Sequence, residues 1–366
     1  MKIVKKFLQN IFKKFFQFIF KIVYGEVIYI ENNLNHKNIL VNKIQNENIK
    51  KYDNGHYHAY KILNGRVYTD HVENVAIINQ NKILDKISYQ QQQGNLNKSY
   101  TNVVLKKGTP RIKKNIKGRV LSLAQGASGH SNYSHWLFDI LPKIKLYSEL
   151  YNINDLNYIY LNNLKNFQKI SFQVLGLENI KILDSNKYRH IQAEELICLE
   201  HPSYYRGYIL EQAKNLPSWI VNWLRKVYIS HASKFNCNDK VFIDRTASQS
   251  THCQFQNENE ITTYLNQKGF TKYKLESLSF FQQIYLFNNA KVIIGAHGAG
   301  FTNLTFSNEG AKVIEIRPKN NPNTVYKRLS EINKLDYNLI ETSLLNENLN
   351  KKGDIFINME SLEKII

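Results

Sequence analysis

Along the first two dozen residues the apolar positions repeat with helical spacing. Val4, Phe7, Leu8, Ile11, Phe12, Phe15, Phe16, Ile19, Ile22 and Val23 form one stripe, widened by Phe18 and Phe20. Lys2, Lys5, Lys6, Lys13, Lys14 and Lys21 stand among the polar positions, and no acidic residue precedes Glu26. A broad aromatic face flanked by lysines predicts a helix lying in a bilayer interface. Packing of the same stripe on the protein's own core, or in a dimer, is the alternative. Each lysine beside an anionic leaflet contributes about 1 kcal/mol. The lysines also interrupt what a cleaved signal peptide would keep apolar. No run reaches the roughly 18 to 20 apolar residues of a spanning helix.

From Tyr24 to about Val120 the period shortens to that of strands, opened by Val27, Ile28 and Ile30. Asn64-Gly65 predicts a hairpin turn between Tyr60–Leu63 and Arg66–Tyr68. Val75–Ile78 and Ile83–Ile87 flank the polar turn Asn79-Gln80-Asn81, and Gln90–Gln93 before Gly94 reads as a loop. From Val120 to Ile229 strands and helices alternate, ending in an amphipathic helix through Trp219, Ile220, Trp223, Leu224 and Val227. Residues 231–239 are polar and read as a linker. A second series follows: strand Val241–Ile243, helix Glu260–Gln267, strand Lys272–Leu275, helix Phe280–Asn289, strand Val292–Ile294, a short helix after Gly300, and strand Val313–Ile316. Such alternation predicts a doubly wound parallel sheet.

A chain of 366 residues suits two domains, and 43% apolar residues suffice for real cores. The net charge of +19 favours anionic partners: phosphorylated substrates, acidic lipid surfaces or nucleic acid. Cys198, Cys237 and Cys253 are odd in number and lack CxxC spacing, which argues against a disulfide framework and for a reducing cytoplasm.

Two motifs carry candidate chemistry. In Gly126-Ala-Ser-Gly-His-Ser-Asn-Tyr-Ser-His-Trp-Leu-Phe-Asp-Ile-Leu-Pro142 a Gly/Ser loop runs into a helix. His135 and Asp139 share one face of it, four residues apart, and Leu137, Ile140, Leu141 and Ile144 take another. Pro142 is expected to bend or interrupt the helix. The pair either works on an anionic sugar substrate or only caps the helix. In Val292-Ile-Ile-Gly-Ala-His-Gly-Ala-Gly-Phe-Thr-Asn303 a buried strand ends in a glycine turn before a helix. Gly298, Ala299 and Gly300 would bring backbone N–H groups to a diphosphate, with His297 and Asn303 beside them. The alternative is a tight turn without a ligand. Arg245 ends its strand at the same sheet edge. Glu315 is a candidate acceptor from ribose hydroxyls; each has an ordinary ion pair as its alternative. No Asp-x-Asp and no zinc-type Cys/His spacing occurs, so no metal or other cofactor is expected.

Together these residues resemble glycosyltransferase family 61, the capsular polysaccharide biosynthesis type. The resemblance rests on Asn132-Tyr-Ser-His-Trp-Leu-Phe-Asp-Ile-Leu-Pro142, Phe242-Ile-Asp-Arg245, Glu276-Ser-Leu-Ser-Phe-Phe-Gln-Gln283, Ile294-Gly-Ala-His-Gly-Ala-Gly-Phe-Thr-Asn-Leu304 and Val313-Ile-Glu-Ile316. Thr246–Glu258 departs from it by a longer path and a missing second basic residue.

The resemblance implies an α/β, GT-B-like architecture with two Rossmann-like domains facing a cleft. It also implies inverting transfer, usually from a UDP-sugar. Arg245, His297, Gly298, Ala299, Gly300, Asn303 and Glu315 would hold the nucleotide-sugar donor. Asp139, or His135, would be the base toward a glycan or lipid-linked glycan acceptor. The expected organisation is an anchor helix at 1–24, a β-rich and Rossmann-like acceptor-side domain at 25–230, a nucleotide-sugar domain at 240–345 and a tail at 346–366. The enzyme is expected in the cytoplasm, peripheral at an anionic membrane surface. An inactive assembly scaffold is the runner-up. A nucleic-acid-binding protein is the lesser alternative; no nucleic-acid motif occurs and nucleic acid is not an expected partner.

Overall fold

In the computed structural model, which describes residues 2–31, 36–71, 74–92, 95–97, 99–124, 132–245, 253–342 and 354–366, the N-terminal stripe winds into one helix, α1 (Lys2–Tyr24). The side chains of residues 1–10 and 13 lie outside the described ones, and so do the predicted loop positions Gly126 and Gly129 and residues 246–252. On the rest of α1, Ile11, Phe12, Phe15, Phe16, Phe18, Ile22 and Val23 are exposed. Its last turn is docked: the Tyr24 ring meets His190 edge-on at 5.1 Å, and its hydroxyl accepts from the Lys113 N–H at 3.0 Å. No helix among the described residues is long and apolar enough to cross a membrane.

The contacts divide the chain into two units, Met1–Gln212 and Ala213–Ile366. The first contains β1 (Ile28–Tyr29), β2 (Ile39–Lys43), β3 (His58–Leu63), β4 (Arg66–His71), β5 (Asn74–Asn79), β6 (Lys82–Ile83), β7 (Gln90–Gln92) and β8 (Asn95–Asn97). A short helix α2 (Val104–Lys107) and strand β9 (Lys114–Ser122) follow. Then come α3 (Tyr133–His135), a wide π turn (Trp136–Ile140), α4 (Leu141–Ser148), β10 (Tyr158–Leu161), α5 (Asn166–Val174), β11 (Lys181–Asp184), β12 (His190–Leu199) and α6 (Ile209–Lys214). β9, β10, β11 and β12 are mutually parallel in the order β11-β10-β9-β12. The chain therefore crosses from β9 in one direction to β10 and β11, and returns to lay β12 on the other side of β9. Val120, Tyr160, Leu183, Ala193 and Leu196 fill the core beneath.

Asn64-Gly65 is not a hairpin turn. β3 and β4 lie end to end along the same edge of β12, with Leu63 opposite Glu195 and Arg66 opposite Gln192. The ladder runs straight through: the Asn64 N–H donates to Glu194 O at 3.0 Å, and the Ala193 N–H to Gly65 O at 2.9 Å. Asn64 takes a left-handed φ of 54°. On the other flank of β12, Gly118 (φ 86°) sits where the β9–β12 register slips by one residue. The kink thus passes across three strands, and Asn and Gly serve it because they tolerate positive φ. The true two-residue reversal is Gln80-Asn81, both with positive φ (43° and 64°), which seats Ile78 opposite Ile83. Ile83–Ile87 is a strand only at Lys82–Ile83; Asp85–Ile87 is a 3-10 turn. Gln90–Gln92, read as loop, pairs with β8 instead.

The second unit begins with α7 (Ser218–Tyr228), upstream of the polar 231–239 stretch. Arg225 on α7 explains the grouping: it donates to the carbonyls of Thr305 and Ser307 at 3.0 and 2.5 Å. The sheet follows with β13 (Lys240–Asp244), α8 (Glu258–Gln267), β14 (Thr271–Lys274), α9 (Phe280–Asn289), β15 (Val292–Ala296), a 3-10 helix (Ala299–Phe306) and β16 (Lys312–Pro318). α10 (Val325–Asn333) and β17 (Asp336–Thr342) extend it beyond the predicted series. All five strands are parallel, in the order β14-β13-β15-β16-β17. In the segment read as a tail, Ile355 and Ile357, with Leu362 of α11 (Met359–Glu363), are buried in this core.

Gly65 offers a test of the continuous ladder. A Cβ there would stand 2.9 Å from Ile62 Cγ2 and from Leu196 Cβ. Overpacking of this kind costs about 1–3 kcal/mol, so Gly65→Ala should lower stability by that amount in a denaturant titration. An exposed hairpin tip would tolerate the change without loss.

Candidate active site

In open parallel sheets, ligands bind beyond the carboxyl ends of the strands, where the strand order reverses. The first unit has its reversal between β9 and β12. Beyond these two ends lie Leu123 and the segment Glu200–Ser203, and the helix after β9 brings His135, Asp139 and Lys143 to them.

Local sequence explains how the helix does so. The Asn132 side chain accepts from the Ser134 and His135 N–H groups and caps its start. Pro142 interrupts the α-helix, as expected, but does not end it. The preceding turn widens instead, so that the Leu141 N–H reaches Trp136 O, five residues back. Widened turns of this type recur at functional sites. Trp136, Leu137, Ile140 and Leu141 are wholly buried and fix the helix on the sheet.

Asp139 is 6% exposed and its oxygens are divided. Oδ2 meets His135 Nδ1 at 2.6 Å, and Oδ1 accepts from the Ser203 hydroxyl at 2.7 Å. His201 Nε2 stands 3.8 Å from Oδ1. Burial works against the carboxylate, but His201, His135 and the Ser203 hydroxyl more than offset it and hold the pKa at about 2. Burial keeps His201 itself neutral, with a pKa pulled down to about 4 despite Asp139. The shift of His135 has the opposite sign. Burial lowers its pKa, yet the hydrogen bond and charge of Asp139 outweigh that and the net shift is upward. The His135 side chain remains 31% exposed, and its Nε2 meets no hydrogen-bond partner among the described residues.

Lys143, one turn beyond Asp139, was not singled out by the sequence. It is fully buried and donates to Leu123 O at 3.0 Å. Burial drags its pKa down to about 7, against the pull of Asp139 and Cys198. His201 and Ser203 also escaped the sequence reading. Their signal was positional: they directly follow the long strand β12.

The second unit reverses between β13 and β15, and Arg245 and His297 follow those strands directly. Arg245 is 8% exposed and packs against Gly298, where a Cβ would overlap its guanidinium. Gly298 is extended (φ 166°), so the close approach of Arg245 is what calls for glycine. His297 Nδ1 meets Glu315 Oε1 at 2.5 Å, and Tyr337 donates its hydroxyl to Glu315 Oε2 at 2.5 Å. Glu315 is fully buried with both oxygens engaged, so it orients His297. Tyr326 donates to Gly298 O at 2.6 Å and fixes the turn. Ala299 and Gly300 begin the 3-10 helix at its surface-facing end. Asn303 is buried and donates to Gln283 Oε1 and Gly300 O at 3.0 and 3.2 Å, which braces the turn against α9. No cluster of three metal-ligating side chains occurs among the described residues.

Parallel strands alternating with helices, with polar clusters beyond their strand-order reversals, make this a mixed α/β protein with candidate ligand sites where such folds carry them. Residues 133–314, which include His135, Asp139, His201, Ser203, Arg245 and His297, match the family described as Glycosyltransferase 61. The chain belongs to that family, and it is a glycosyltransferase. No curated protein matches it.

Lys143 gives the first unit a pH signature. Its pKa falls from 10.5 in the unfolded chain to about 7 in the folded one. Between those values the unfolded chain holds the extra proton, so this group makes stability rise with pH; below about pH 7 its full penalty is present. Lys143→Met removes the titration, while loss of the Leu123 contact shifts the curve uniformly. Relative to wild type, the variant should gain stability as pH falls from about 10 to about 7 and level off below. A stability difference that is flat across this range would refute the assignment.

Proposed function

We propose that the enzyme transfers a sugar, with inversion, from a nucleotide-sugar donor to a glycan or lipid-linked glycan acceptor in surface polysaccharide synthesis. A UDP-sugar is the first donor to test. The GT-B arrangement belongs to the same proposal, with the first Rossmann-like unit serving the acceptor and the second the donor. So does peripheral attachment at the inner face of an anionic membrane, supported by the exposed apolar face of α1.

One observation carries the chemical reading. Asp139 has both oxygens engaged, whereas His135 uses Nδ1 for Asp139 and keeps its side chain 31% exposed. The geometry therefore favours His135 over Asp139 as the base. Its Nε2 takes the proton of the acceptor hydroxyl as that oxygen bonds to the anomeric carbon, and the bond from that carbon to the nucleoside diphosphate breaks. Asp139 holds the tautomer and stabilises the imidazolium that forms. The leaving diphosphate is met by Arg245 and by backbone N–H groups at Gly298–Gly300, preorganised donors of the kind that stabilise developing charge. His297, fixed through Nδ1 by Glu315, donates from Nε2 to the same group in its imidazolium form.

The variants must then divide. His135→Gln should keep UDP affinity and lower turnover by about a hundredfold or more. Asp139→Asn should also lower turnover and move the acidic limb of the kcat/KM profile to lower pH, because Asp139 raises the His135 pKa. Arg245→Ala should weaken UDP by about 1.5–3 kcal/mol, the loss of a charge-assisted contact. Near-normal turnover in His135→Gln removes His135 as the base.

The absence of Asp-x-Asp from the sequence leads to a further expectation. UDP affinity measured by calorimetry should agree in EDTA and in manganese. A tenfold loss in EDTA, about 1.4 kcal/mol, would mean that a divalent ion takes part.

A further inference from the structure

The amino-terminal ends of β9 and β12 lie at the opposite edge of the first sheet from the His135–Asp139 cluster. There α1 and the body of the unit enclose a groove of about 920 Å³. Phe12, Phe16 and Phe20 form its apolar wall. Its rim carries Lys107, Arg111, Lys114, Lys187 and Arg189, and no carboxylate is among the described residues that line it.

More positive charge lies behind His190, which also lines the groove. His190 Nε2 accepts from Arg66 at 3.2 Å. Arg66 is 6% exposed, and its other partners among the described residues are Asn81 Oδ1 and Thr109 Oγ1, both neutral. Lys113 donates to Gln192, again neutral. The Tyr24 ring lies 5.9 Å from the first cation and 5.5 Å from the second. Burial depresses the pKa of both. Buried cations normally have a counter-charge; among the described residues Arg66 meets only neutral acceptors and an aromatic face, and its field reaches the groove.

We propose that this groove binds one acidic phospholipid, its phosphate on the basic rim and its upper acyl chains against the α1 phenylalanines. The inference rests on the membrane-surface reading of α1 and adds a defined headgroup site to it. An aromatic wall beside five cations matches an anionic amphiphile, and α1 supplies both the wall and the exposed face that reaches the bilayer. The groove and the catalytic cluster stand at opposite ends of β9, eight residue steps apart from Lys114 to Ser122. At about 3.3 Å per step that is roughly 26 Å, so the groove lipid is distinct from the reacting end of the acceptor.

The test uses the full chain and vesicles of phosphatidylcholine, alone or mixed with phosphatidylglycerol. Arg111→Glu with Lys187→Glu reverses two rim charges. Lys169→Glu with Lys181→Glu makes the same change in net charge elsewhere on the unit. Phe15→Glu with Phe18→Glu alters the exposed face of α1 outside the groove. Circular dichroism and UDP affinity check that each variant is folded. The rim pair should weaken binding to the acidic vesicles by about tenfold or more beyond the control pair, and leave binding to neutral vesicles unchanged. Equal losses in the rim and control pairs would overturn the groove and leave diffuse attraction by net charge. Unaltered vesicle binding in the Phe15/Phe18 variant would instead overturn the membrane reading of α1.

Discussion

A parallel sheet whose strand order reverses cannot have both strand ends at the reversal covered by the same crossover. The connections leave in opposite directions, and the two carboxyl ends between them stay open. Each unit places its polar cluster at that opening, β9 beside β12 in the first and β13 beside β15 in the second. Elsewhere the helices bury the sheet faces, and an unpaired charge there would be costly. The chemistry sits where the topology leaves room for it.

The two clusters share a device and use it differently. Each has a histidine fixed through Nδ1 by a carboxylate whose second oxygen is held by a hydroxyl: Ser203 on Asp139, and Tyr337 on Glu315. Such partners set the tautomer and aim the other nitrogen. The difference lies in access. The His135 side chain is 31% exposed, whereas that of His297 is 8% exposed. The more open histidine suits proton exchange with a substrate; the buried one suits a fixed contact. Lys143 adds a buried amine beside the first cluster, a group whose charge is easily lost near neutrality and which therefore couples that cluster to pH.

The same sheet that presents the His135–Asp139 cluster at its carboxyl edge collects cations at its amino edge. Arg66, Lys113 and the groove rim account for a local share of the net charge of +19. Tyr24 joins this region to α1 by a hydrogen bond, a ring contact with His190 and two cation–π contacts. The N-terminal helix is thus attached at one turn while most of its described apolar face remains outside the core.

Periodicity alone determined the helix at 2–24, the β-rich stretch after it, and the alternating series that makes the parallel part of the first sheet and most of the second. These are local properties: the spacing of apolar residues fixes the face that must be buried. The i, i+4 relation likewise brought His135 to Asp139, and the glycine turn brought Gly298 to a strand end. What lay between distant segments was not legible. Asn64-Gly65 has the composition of a turn, yet β12 supplied partners on both sides and drew the chain straight through. Gln90–Gln92 became a strand because β8 was there to pair with it. Lys143, His201, Ser203, Tyr326 and Tyr337 acquired their roles from partners that only the folded sheets supply. Which oxygen of Asp139 is engaged, and which nitrogen of His135 is not, follows from distances of a few ångströms between residues up to 64 positions apart. The sequence sets each segment's preference, and tertiary packing decides which groups meet, because hydrogen bonds and buried charges depend on neighbours in space.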